Sequence, residues 1–103
     1  MHKYLVLYTA SAEDHDQMAE PSQEQQQAMM QAWFDWKDTA GDAIVDFGAP
    51  TSQISDGVAS GVGGYSIVQT DSADALPAVF ETNPHRKMGG ALEIHELMDV
   101  PGP

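Results

Sequence analysis

From Lys3 to Thr9 the chain carries Tyr, Leu or Val at nearly every position and then breaks into the small polar run Ala10-Ser11-Ala12. That pattern predicts a strand. Leu5 and Leu7 alternate with Tyr4, Val6 and Tyr8, so both of its faces are apolar. Residues 10–21 show no periodicity and predict a loop. Ser22, with Gln25 three residues on, has the spacing of a capping box and opens a helix that Gly41 closes. At 100° per residue, Met29, Trp33, Trp36 and Ala40 form its apolar stripe. Phe34 falls off the stripe and is expected as a half-exposed ring against a neighbouring loop.

Further strands are predicted over residues 43–47, stopped by Gly48-Ala49-Pro50, and over Tyr65–Thr70, opened by Gly63-Gly64. A polar connection, residues 51–61, joins them. The second strand places Tyr65, Ile67 and Gln69 on one face and Ser66, Val68 and Thr70 on the other. A second helix is expected over about 73–82, capped by Ser72 or Asp74, burying Ala75, Leu76, Val79 and Phe80 and stopped by Asn83-Pro84. After a Gly89-Gly90 hinge, a last strand runs from Ala91 to Met98, with Glu93 and His95 sharing a face. Residues 100–103 trail off from it.

The order β-α-β-β-α-β predicts one α+β domain over 1–103: a ferredoxin-like two-layer sandwich with a four-stranded antiparallel sheet. In that topology both helices cover one face of the sheet. An apolar second face then calls for a cover from outside the chain, most simply a second copy.

Charge narrows the partners. Four Lys+Arg against sixteen Asp+Glu give −12, which cannot form the basic face that nucleic acid or an anionic membrane requires. The chain has no cysteine, hence no thiolate chemistry. No apolar run reaches membrane-spanning length and no cleavable leader is evident, so a cytoplasmic location is expected.

The ordered set Lys3-Tyr4-Leu5-Val6-Leu7-Tyr8, Trp33-x-x-Trp36, Val45-Asp46-x-Gly48-x-Pro50, Gly64-Tyr65-Ser66-Ile67-Val68, Asn83-Pro84-His85 and Gly90-x-x-Glu93-Ile94-His95-Glu96 resembles the YCII-related (DGPF-domain) proteins along nearly the whole chain. The resemblance implies a dimeric α+β barrel, in which two such sheets face each other around a cavity. It implies little about activity: many members have none assigned, some accompany sigma-factor genes, and a few relatives eliminate or isomerise small ring compounds with a His and Asp pair. Their first helix carries a histidine, whereas Ser22 to Gly41 here holds none. His85, in the matching Asn83-Pro84-His85, is the position the resemblance carries over.

Candidate chemistry follows from residue type and place. His85 is either a site residue in a loop or a ring that caps the preceding helix or bonds a loop carbonyl. Arg86 and Lys87 are half of the chain's cations and would draw an anionic ligand, unless they are simply solvated. Glu93 and His95 make a proton-transfer pair if their face lines a cavity, or a hydrated rim pair that holds register. Asp46 points into a polar cavity or binds loop amides near Gly48. Tyr65 joins the lining candidates. No metal-ligand spacing such as His-x-x-x-His and no Gly-x-Ser-x-Gly elbow is present, and Gly61-x-Gly63-Gly64 precedes a strand rather than a helix. The expectation is a homodimer around a small-molecule pocket, with cofactor-free isomerase- or lyase-like proton transfer. The alternative is a non-catalytic ligand-sensing or accessory module.

Overall fold

A computed structural model describes residues 1–9, 22–58 and 60–98. The elements are β1 (His2–Thr9), α1 (Gln23–Ala40), β2 (Ile44–Asp46), β3 (Val62–Thr70), α2 (Leu76–Val79), α3 (Pro84–Lys87) and β4 (Ala91–Glu96). The strands form one antiparallel sheet in the order β2-β3-β1-β4, the ferredoxin-like arrangement. The stretches expected as a loop (residues 10–21) and a tail (100–103) lie outside the described residues.

The capping box forms as its spacing requires. Ser22 Oγ accepts from Gln25 N at 3.1 Å and Gln25 Oε1 accepts from Ser22 N at 2.9 Å. Gly41 closes α1 at φ +54°, its N–H donating to Lys37 O. Trp36 is fully buried at the centre of the stripe. Its ring stacks on Phe80 and its Nε1 donates to Val79 O at 2.8 Å. Phe34 stays half-exposed and stacks on Phe47 in the segment after β2.

Burial alternates along the central strands. Tyr4, Val6, Tyr8 and Val68 face the helices and make the core with Trp36, Leu76 and Phe80. Ser66 and Thr70 share that face and are buried, and each finds a carbonyl: Ser66 Oγ donates to Phe47 O at 2.7 Å and Thr70 Oγ1 to Ser72 O at 2.6 Å. Among the described residues no buried side-chain polar atom lacks a partner.

The structure corrects several boundaries. β3 begins at Val62, so Gly63 and Gly64 lie inside it, and Pro50 bridges to Gly64. β2 shortens to three residues because Gly41–Ala43 form a 3₁₀ turn before it. β4 ends at Glu96, two residues short of Met98. The expected second helix breaks into a 3₁₀ turn (Ala73–Ala75), α2 and α3. Neither Ser72 nor Asp74 acts as a side-chain cap to α2, whose N-cap position is held by Ala75 with no side-chain bond. Asn83 does not stop a helix but starts one. Forced into an extended conformation by the following proline, it caps α3, with Oδ1 accepting from His85 N and Arg86 N. His85 therefore sits in the first turn of a short helix, not in a loop.

Candidate functional site

The face that the helices leave bare has an apolar centre and titratable margins. Leu5 is opposite Ile67 on β3 and His95 on β4; Leu7 is opposite Tyr65 and Glu93. All four of Leu5, Leu7, Tyr65 and Ile67 are half-buried. Along the β4 margin His95 Nε2 lies 3.2 Å from Glu93 Oε1, each side chain about half exposed (54% and 53%). Along the β2 margin Asp46 Oδ1 accepts from Gly48 N at 2.8 Å, while Oδ2 faces the Tyr65 hydroxyl at 3.5 Å, longer than a formed O–H···O bond. Gly48 is required at this turn: at φ +82° an added Cβ would collide with the Tyr65 carbonyl.

β2 and β4 are opposite edges of the sheet, separated by three strand spacings of about 4.8 Å each. Asp46–Tyr65 and Glu93–His95 are thus two separate pairs in one chain.

His85 lies elsewhere, on the helix side at the end of the sheet. Its Nε2 lies 2.9 Å from Thr9 O and 3.1 Å from Ala91 O, and its ring meets Tyr8 edge-on. Two carbonyl oxygens around one ring nitrogen fix the proton on Nε2, which leaves Nδ1 as the acceptor of the neutral ring. The ring ties the end of β1 to the start of β4, and it fits because residue 90 is glycine: a Cβ there would collide with the imidazole. Arg86 also lies on the helix side, with Nη1 donating to Pro77 O at 3.3 Å. It borders a groove of about 330 Å³ lined by Leu76, Pro77, Phe80, Leu92 and Ile94. His85 and Arg86 therefore do not join Glu93, His95, Asp46 or Tyr65 on the bare face of the same chain.

A buried polar chain behind the site has no counterpart in the sequence reading. Asn83 Nδ2 donates to Tyr8 Oη at 3.4 Å, Tyr8 Oη donates to Ser66 Oγ at 2.8 Å, and Ser66 passes the chain on to Phe47 O. Burial pushes the Tyr8 phenol above its ordinary value, and the bonds to Ser66 and Asn83 offset part of the rise. The available signal was Ser66, a hydroxyl on the same strand face as Val68. Among the described residues no three His, Asp or Glu side chains come together as metal ligands, and no helix is long and apolar enough to cross a membrane.

No family model matches the chain, and no curated protein does. Among solved structures, the chain is similar to 5-chloro-2-hydroxyhydroquinone dehydrochlorinase from Burkholderia phenoliruptrix AC1100, determined in complex with 2,5-dihydroxybenzoquinone. The two share 15% identity at a TM-score of 0.59, over 97% of this chain and 96% of the other. The likeness establishes a common fold.

Proposed function

We propose that this chain is a YCII-related cytoplasmic protein whose copies pair through the bare sheet face as a dimeric α+β barrel and enclose a pocket for a small organic molecule. In that pocket Glu93–His95 and Asp46–Tyr65 carry proton-transfer chemistry of the isomerase or lyase kind, without a cofactor. One observation carries the reading: two titratable pairs flank an apolar stripe on the one sheet face that the helices leave uncovered. A ring substrate would lie on Leu5, Leu7 and Ile67. A neutral His95 would take a proton from it, with the Glu93 carboxylate orienting the ring and balancing its charge. The fold shared with a 5-chloro-2-hydroxyhydroquinone dehydrochlorinase supports a small cyclic substrate.

A non-catalytic ligand-binding module is favoured instead by one feature, the use of Asp46 Oδ1 on the Gly48 amide, which gives that carboxylate a turn-forming task.

Sedimentation velocity at micromolar concentration, with titration by 2,5-dihydroxybenzoquinone followed through the quinone's own absorbance, tests the proposal. A dimer whose quinone binding weakens in His95→Ala and Tyr65→Phe is expected. A monomer overturns the paired face; a dimer that binds the quinone equally well in both variants overturns the site.

A further inference from the structure

The described residues of the connection between β2 and β3 present apolar side chains to water. Gln53 ties it together: Nε2 donates to Ser55 O at 3.2 Å and to Val58 O at 3.3 Å, and Oε1 accepts from Ser60 N at 3.0 Å. Held this way, Ile54 is 98% exposed and Val58 94% exposed, with Asp56 between them. A loop that spends three hydrogen bonds on holding two branched aliphatic side chains in solvent is built to bury them elsewhere. Asp56 makes no hydrogen bond or ion pair to any described residue.

The same chain carries a complementary surface. The groove beside β4 is walled by Leu76, Pro77, Phe80, Leu92 and Ile94, and Arg86 stands at its border with Lys87 next in sequence. In a chain of charge −12, this is an apolar slot bordered by one of only four cations. The tip Ile54-Ser55-Asp56-Gly57-Val58 offers the matching pattern of aliphatic, acid, aliphatic.

Symmetry brings the two together. A two-fold axis running between facing sheets, parallel to the strands, sets β2 of one copy over β4 of the other and leaves the ends of the sheets matched. The loop leaves the sheet beside Val62, at the end where Thr9 pairs with both Val62 and Ala91, and the groove borders that same end at Gly90 and Leu92. Facing sheets lie about 10 Å apart. Thr51 N still donates to Gly63 O; beyond it three residues of chain reach Ile54 and five reach Asp56, spans of up to about 10 and 16 Å, which carry the tip to and past the partner's edge strand.

We infer that the loop carrying Ile54, Asp56 and Val58 is an arm that seats in the Leu76–Phe80–Ile94 groove of a second copy of this chain, with Asp56 meeting Arg86. Each copy gives one arm and receives one, so the contact closes. The arm adds to the paired sheet face proposed above and rests on that reading.

Because the chain has no cysteine, cross-linking has no background. Ile54→Cys and Pro77→Cys, both at exposed positions, are co-produced on chains carrying tags of different size and then oxidised. A mixed disulfide dimer on a non-reducing gel is expected. A dimer by sedimentation that yields no mixed disulfide overturns the arm and leaves the paired face standing, whereas a monomer removes both. A charge swap gives a second readout. Asp56→Arg and Arg86→Glu should each weaken dimerisation by about tenfold or more, and the double variant should recover most of the loss. A double variant no tighter than either single variant overturns the Asp56–Arg86 seating.

Discussion

The two faces of the sheet are made from the same strands and do opposite work. On the helix side Tyr4, Val6 and Tyr8 are buried, and the Tyr8 hydroxyl is bonded within the chain to Ser66 and Asn83. One residue away along the same strand, Leu5 and Leu7 are only half-buried, and their neighbours on β3 and β4 carry a phenol, an imidazole and a carboxylate among them within reach of the surface. The helix face closes its core within one copy and leaves open only the groove beside β4 that receives the arm. The bare face holds its polar groups at the margins and its apolar groups in the middle, as a surface does when it is to be covered and yet remain reactive. Substitutions that compare the two faces test this division.

The largest contrast comes from neighbouring positions. Val6→Asp puts an unpaired carboxylate where no solvent reaches, and the chain should lose about 4 kcal/mol or more of stability, enough to unfold a small domain at room temperature. Leu5→Asp places the same group on the bare face. It should leave the far-ultraviolet circular dichroism unchanged and abolish association in sedimentation velocity. If Leu5→Asp unfolds the protein as Val6→Asp does, the two faces are both core and the division fails.

Next in size, Trp36→Ala removes the largest fully buried side chain together with its bond to Val79 O and its stacking on Phe80. A cost of about 3–5 kcal/mol is expected in denaturant titration. Because Trp36 lies away from the bare face, pairing through that face should persist in the folded molecules, while the groove at Phe80, on which its ring stacks, holds the arm less well.

Much of this division is legible in the sequence, and the reasons are local. Alternation in Lys3–Thr9 and Tyr65–Thr70 gives both sheet faces, because a strand's side-chain period admits only two settings. Ser22 and Gln25 fix the start of α1 through two hydrogen bonds that need nothing beyond the helix itself. The second helical region is read less well, since Pro77 and Pro84 each interrupt the backbone ladder and the outcome depends on where Asn83 finds donors. The site is legible by residue type but not by grouping. Glu93 with His95 follows from strand period, and Asp46 binding the Gly48 amide follows from turn chemistry. His85, however, lies against Thr9 and Ala91, one of them 76 residues distant, and no spacing rule anticipates such a contact. The groove at Arg86 was hidden for the same reason: Leu76 and Ile94 meet only through the tertiary fold.

A smaller effect separates the faces by pH. The Tyr8 phenol, buried on the helix side, has its pKa raised above the ordinary 10.0. The folded state then holds this proton more tightly than the unfolded chain does. The contribution is fully present below about pH 10 and is lost as pH rises from there through the folded value. Thermal melts between pH 8 and 11 should show wild type losing stability more steeply above pH 10 than Tyr8→Phe, although the variant starts about 1–2 kcal/mol lower because Asn83 Nδ2 loses its acceptor. Parallel curves for the two proteins would mean that Tyr8 is wetter than its burial indicates.

The smallest stability change belongs to the residue assigned the most chemistry. His95 and Glu93 are each about half in water, so their attraction is screened and the side chains keep much of their freedom. His95→Gln should move the melting free energy by less than about 1 kcal/mol. The substitution keeps a polar group of similar reach but removes the basic ring nitrogen. If the bare face is reactive, quinone affinity in His95→Gln should change through the lost basic nitrogen while the dimer and the fold persist. If instead the pair holds the two copies in register, the dimer dissociation constant should rise and quinone binding should fall only in proportion to the dimer lost. Measuring binding at protein concentrations well above that constant separates these outcomes, because there a register effect vanishes and a chemical one does not.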